Sequence, residues 1–266
     1  MRTPFLIALG LWLAVACTNA TEVGSPAARL ETTPRHHEWA AIPSAGRTLH
    51  AYLAYPERAD RAPAVLVIHE NRGLTDWVRS VADQLAERGY LAIAPDMLSG
   101  DAPGGGRTSD LASEDAAREA ISRLQPARVR EDLRRAADYV RSLPSASGTL
   151  YVAGFCWGGA RTWEVANDYD PIAGAFVFYG TGPREASGIA GIDAPVYGLY
   201  GGNDARVNAT IDASARLMRE AGKTFDPVVY DGAGHAFMRI GEQPDASEAN
   251  RRARDQAWSR WLALMR

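Results

Sequence analysis

Leu150-Tyr151-Val152-Ala153-Gly154-Phe155-Cys156-Trp157-Gly158-Gly159-Ala160 decides how the rest of this chain is read. A short apolar run ends in Gly-x-Cys-x-Gly-Gly, and a helix-compatible segment follows. That is the layout of a nucleophile elbow, with cysteine where the common Gly-x-Ser-x-Gly form has serine. A strand reversing sharply into a helix forces its central residue into strained dihedrals, and side chains on either side would collide, so glycines flank it. The thiol then projects from the turn, and the N–H of Trp157 opens a helix whose dipole favours negative charge. Alone, the stretch also fits a buried cysteine in a tight turn. The surrounding chain decides between the two.

Outward from the elbow, the sequence alternates apolar β-branched runs with amphipathic ones. Strands are expected at His37–Ile42, Leu49–Tyr55, Ala64–Ile68, Tyr90–Pro95, Leu150–Ala153, Ile172–Tyr179, Pro195–Tyr200 and Asp226–Tyr230. Helices are expected at Asp76–Arg88, Ser113–Leu124, Val129–Ser142, Trp157–Asn167, Asn208–Ala221 and Ser247–Met265, with a Gly- and Pro-rich loop from Met97 to Arg107. Continuously apolar strands between helices imply an α/β fold, a doubly wound, mostly parallel sheet flanked by helices. Functional groups in such sheets gather at the carboxyl ends of strands.

Those ends carry chemistry. Glu70 follows the run ending at Ile68, Cys156 the elbow strand, Asp204 the strand ending at Tyr200, and His235 the strand ending at Tyr230. Nucleophile, acid, histidine is the chain order of the α/β-hydrolase fold. A thiol with a pKa near ~8.5 needs a base or a positive field to become a nucleophile. His235 can take that proton and later return one to the leaving group. Asp204 can fix the imidazole tautomer, although it could merely cap a helix, and Asp231 is a nearby rival. Trp157 can supply one oxyanion N–H, and the loop after Ile68 the other. Glu70 can accept the thiol proton, or simply pair with Arg72 or Arg239. His36, His37 and His50 fall away from that edge, and His69 has no matching ligands elsewhere, so neither a metal nor a cofactor is expected.

The 266 residues are 46% hydrophobic and 23% charged, with a net charge of −3, which gives no electrostatic reason to expect nucleic acid as a partner. Arg2 followed by the apolar run Pro4–Ala16 reads as an export signal over 1–20, with 21–34 as a flexible tether and one catalytic domain over 35–266. Leu13-Ala14-Val15-Ala16-Cys17 is similar to a lipobox, in which Cys17 would carry lipid and tether the chain to a membrane; cleavage after Ala20 is the alternative. The expected location is therefore the bacterial periplasm or the cell envelope. Either route leaves Cys156 as the sole thiol of the mature domain. A monomer is expected.

His69-Glu70-x-x-Gly73, Pro95-Asp96, Gly154-Phe155-Cys156-Trp157-Gly158-Gly159, Gly201-x-x-Asp204 and Gly234-His235-x-Phe237-x-Arg239 together resemble the dienelactone hydrolase (carboxymethylenebutenolidase) family, over about residues 37–266. The resemblance implies a Cys156–His235–Asp204 triad, with Glu70 held near the thiol and taking its proton when an anionic substrate binds. It implies oxyanion donors at the N–H groups of Trp157 and Asn71. Two arginines bind substrate carboxylate in the founding members; Arg239 matches one by position, and Arg118 is the candidate for the other. Those founding members are cytosolic, whereas this chain carries an export signal, and Trp157 is bulkier than the aliphatic residue often found after the cysteine. The expected activity is hydrolysis of a carboxylate-bearing lactone or ester through a thioester acyl-enzyme. A generic carboxylesterase or thioesterase, or a non-hydrolytic binder or thiol redox sensor on the same fold, is the alternative.

Overall fold

A computed structural model describes residues 24–265. The expected export signal, Cys17 and the first residues of the expected tether lie outside that range. Eight strands form one sheet: β1 (His37–Ser44), β2 (Arg47–Ala54), β3 (Ala62–Ile68), β4 (Leu91–Pro95), β5 (Ala146–Phe155), β6 (Gly174–Phe178), β7 (Val196–Gly201) and β8 (Phe225–Tyr230). Their order is β1-β2-β4-β3-β5-β6-β7-β8. β1, β2 and β4 pair antiparallel, and every pairing from β4 to β8 is parallel.

Residue types explain the division. β4 and β6 are buried at every position and β3 at all but one, as strands covered on both faces must be. β1 instead alternates, with Ala40, Ile42 and Ser44 turned inward and their neighbours exposed, so it holds an edge. It joins β2 through Ala45 and Gly46, both at positive φ, the conformation that matches the twist of a two-residue hairpin.

Helices α2 (Asp76–Glu87) and α9 (Glu248–Leu264) cover one face, meeting Val65, Val67, Ala153, Phe155 and Phe178. The other face carries α4 (Pro126–Ser142), α5 (Trp157–Asp168) and α7 (Ile211–Glu220) over the alternate strand residues, among them Leu66, Ile68, Val152 and Val177. The chain crosses from one half of the sheet to the other between the neighbours β3 and β5. Their carboxyl ends form the crevice where such folds place ligands.

Several local features depart from the sequence reading. Part of the expected tether forms α1 (Pro26–Thr32), capped by Ser25 and led by Pro26, both helix-start residues. The helix expected at Asn208–Ala221 is two pieces, α6 (Ala205–Asn208) and α7, because the Thr210 hydroxyl donates to the Val207 carbonyl at the break. A short helix, α8 (Phe237–Ile240), follows His235 and was not anticipated. The remaining helix, α3 (Glu114–Arg123), starts one residue after its cap Ser113. The glycine-rich loop after β4 is ordered by buried Asp96, whose carboxylate accepts from the N–H groups of Leu98 and Thr108 and from the Thr108 hydroxyl.

Candidate active site

At the end of β5 the backbone turns through Cys156 at φ 55°, ψ −112°, a conformation that L-residues avoid. Close packing enforces it. A Cβ on Gly154 would sit 2.2 Å from the Gly158 carbonyl oxygen, and one on Gly158 would sit 2.3 Å from that of Ile68. The Cys156 N–H donates to the Phe178 carbonyl at 3.0 Å, locking the turn to the neighbouring strand. The thiol stands at the N-terminus of α5, where helix geometry leaves the N–H of Trp157 without an intrahelical acceptor.

His235 comes to the thiol from the loop after β8. Its Nε2 lies 3.1 Å from Cys156 Sγ, and its Nδ1 lies 2.5 Å from Asp204 Oδ2. With Nδ1–H donating to the carboxylate, Nε2 faces the sulfur. Asp204 divides its oxygens: Oδ2 holds the histidine, and Oδ1 accepts from the Val207 N–H at the start of α6. The helix cap and the imidazole support are thus the same residue. Among the described residues the carboxylate on His235 is Asp204, and Asp231 makes no contact with it. Burial alone would pull the imidazole pKa down, but the bonds to Cys156 and Asp204 outweigh it and push it up to about 9. The site therefore favours the imidazolium.

Glu70 is buried at the end of β3. Its Oε2 accepts from Arg239 Nε at 2.7 Å, and its Oε1 accepts from the Tyr179 hydroxyl at 3.4 Å. Its partners are thus Arg239 and Tyr179, while the thiol's hydrogen-bond partner is His235. This ion pair is one of the arrangements open from sequence. The backbone of Glu70 is fixed by buried His69, whose Nδ1 donates to the Glu70 carbonyl at 2.7 Å while its Nε2 accepts from the Met97 N–H. Burial keeps that imidazole's pKa below the ordinary value, consistent with a neutral ring stacked on Trp157. Asn71 follows in the same loop as Glu70, on the β3 side of the crevice.

Arg118 is not among the cavity-lining residues but shares Glu114 with Arg72, which is one of them. It sits on the outer side of α3, half-exposed and paired with Glu114 and Asp115. Arg72, Arg79 and Arg107 line a cavity with Arg239, and of these Arg72 also lines the cavity adjoining it. The Arg72 guanidinium pairs with Glu114, and its Nε is buried with no acceptor among the described residues. Burial, then the charge of Arg239, hold its pKa below the usual value. Two adjoining cavities of about 630 Å³ each share Arg72, Arg239 and Trp77 in their walls. Cys156 does not line them; Arg239, Glu70 and Tyr179 connect them in turn to His235. Two contributors were missed from sequence. Tyr179, also at positive φ, packs edge-on to His235 as well as donating to Glu70. Arg72, two residues after Glu70 in the same strand-end loop, is read from sequence only as a partner for Glu70 and not as a cavity residue.

The described residues hold no cluster of His, Cys, Asp and Glu suited to a metal ion. What the site can do is nucleophilic: a sulfur beside a cationic imidazole, backbone N–H groups at a helix start, and arginine charge linked to it through Glu70 and Tyr179.

Comparison with known proteins points to one family of ester and lactone hydrolases. The family model described as "Dienelactone hydrolase family" matches residues 49–266. A Methylorubrum extorquens protein named "Putative carboxymethylenebutenolidase" is 34% identical over 208 residues, covering 74% of this chain and 70% of that protein. One of the same name from Salmonella typhimurium is 32% identical over 239 residues, covering 84% and 85%. A crystal structure titled "Putative Dienelactone Hydrolase", from Klebsiella pneumoniae, superposes with a TM-score of 0.75 at 29% identity, over 87% of this chain and 98% of that one.

Proposed function

The chain belongs to the dienelactone hydrolase family of carboxylic ester hydrolases, and from that premise we propose that Cys156 opens a carboxylate-bearing lactone or ester through a thioester acyl-enzyme. The observation that carries this reading is the line from Asp204 through His235 to Cys156, set beside the Arg239–Glu70 pair.

With the proton already held on His235 Nε2, the Cys156 sulfur attacks the carbonyl carbon, and Asp204 stabilises the imidazolium. The N–H groups of Trp157 and Asn71 receive the developing oxyanion. Collapse breaks the acyl C–O bond, and His235 returns the proton to the departing oxygen, which in a lactone stays attached to the acyl chain. Water then attacks the thioester, giving a proton to His235, and the carboxylic acid leaves as the free sulfur and the imidazolium are restored.

Arg239 selects the substrate. At rest its guanidinium is satisfied by Glu70; an incoming carboxylate competes for the same charge and displaces Glu70 from it. A neutral ester offers no such exchange. The export signal read from the sequence would place this activity outside the cytoplasm, and the mass of the mature protein would separate cleavage after Ala20 from lipidation at Cys17.

The test compares esters with and without a free carboxylate. Cys156→Ala should cut kcat/KM on all of them by about a thousandfold or more. Arg239→Ala should lower the ratio of kcat/KM for anionic over neutral esters by roughly tenfold to a hundredfold. Unchanged turnover in the cysteine variant removes the nucleophile, and an unchanged ratio removes the carboxylate site.

A further inference from the structure

The cavities beside Arg239 have a wall that the family match does not contain. Ser25 and Pro26 line both of them, and Ala27 lines one of the two together with Trp39 and Trp77. These residues begin α1, upstream of the matched region at 49–266.

That wall is fixed in place. Asp83, fully buried on α2, accepts from the Thr33 hydroxyl at 2.6 Å and from Arg35 Nε and Nη2 at 2.9 and 2.8 Å. Arg29, within α1, adds weaker ion pairs to Asp83 and Glu87 at 3.9 and 3.8 Å. Leu30 packs against the core between α2 and the sheet. Ser25 accepts from the Ala28 N–H, and Pro26 restricts the first turn, so the cavity-facing end is rigid as well. Opposite stand Arg72, Arg107 and Arg239 with the indoles of Trp39 and Trp77, and the Arg107 guanidinium lies 4.1 Å from the Trp39 ring centre. Asp76, Asp96 and Glu114 line the same cavity, and Glu114 and Glu70 pair with Arg72 and Arg239, so a substrate carboxylate meets arginines whose charge is balanced at rest, beside the two indoles.

We infer that Ser25–Ala27, held by the docking of α1 on Asp83, is the outer wall of the substrate cavity and limits the bulk of the carboxylate-bearing molecule that reaches Arg239. The inference rests on the hydrolase reading above and adds to it. Specificity comes from a segment outside the shared catalytic core, and the matching substrates are planar, anionic and small enough to lie between that segment and the two indoles.

Two full-length variants push the wall in opposite directions. Ala27→Trp fills the space and should lower the ratio of kcat/KM for a naphthyl-sized over a phenyl-sized anionic ester by about tenfold. Arg35→Ala, remote from the cavity, loosens α1 and should raise the same ratio. Calorimetric binding of 2-naphthoate and benzoate reads the wall without turnover: Ala27→Trp should weaken naphthoate about tenfold more than benzoate. Equal effects on both probes, or no binding of either by the wild type, overturns the wall. Size-selective binding with no hydrolysis by the wild type would instead sink the hydrolase reading and keep the wall.

Discussion

His235 carries the most pH-sensitive charge at the site. Its folded pKa of about 9 lies above the value near 6.5 of a free imidazole. A raised pKa means the folded state holds the proton more tightly. The stabilisation is therefore full below about pH 6.5 and disappears as pH rises through about 9. Thermal unfolding across that window should show the decline. Because one of the two bonds that raise the pKa comes from Cys156, Cys156→Ala should move the His235 titration downward, as followed by NMR of the imidazole. An unmoved midpoint would mean that the 3.1 Å contact carries no charge interaction. At this scale the sequence showed a good deal: Cys156, Asp204, His235 and Arg239 each stand at a fixed offset from a strand end. It did not show which arginine accompanies Arg239. Arg118 and Arg72 differ in where a helix turn and a loop point, and that is settled by packing, not by spacing.

Elements were legible where burial is extreme. β3, β4 and β6 read directly as runs of apolar residues, because two covered faces leave no place for a polar side chain. α1 was not, since Pro26-Ala27-Ala28-Arg29 is equally at home in a flexible segment, and its order comes from Asp83, some fifty positions away. α8 escaped for a related reason: four residues are too few for a periodic pattern. The elbow makes its own prediction. Gly158 lies so close to the Ile68 and His69 carbonyls that Gly158→Ala has to displace β3 from α5. A loss of roughly 3 kcal/mol in denaturant unfolding is expected, along with lost activity, since the displaced strand carries Glu70. A variant of wild-type stability would show that the contact is loose.

Across the whole molecule, two kinds of contact hold the site together. The parallel strands bring four functional groups from separate parts of the chain to one edge, and the α1 docking adds a wall from outside the sheet. That docking depends on a buried charge, so Arg35→Ala should cost about 3 kcal/mol, measured by chemical denaturation, because it leaves Asp83 in the interior without its principal cation. A loss below about 0.5 kcal/mol would place the pair among ordinary surface bridges. The turn at Cys156 has a different consequence. The chain holds its nucleophile at φ 55°, where only glycine is comfortable, so the working sequence is not the most stable sequence for this fold. Cys156→Gly should gain about 1 kcal/mol of stability while abolishing turnover. A lineage released from selection on catalysis would then drift toward a sturdier, inert scaffold by that single exchange, and a less stable glycine variant would show that the thiol's packing outweighs the strain.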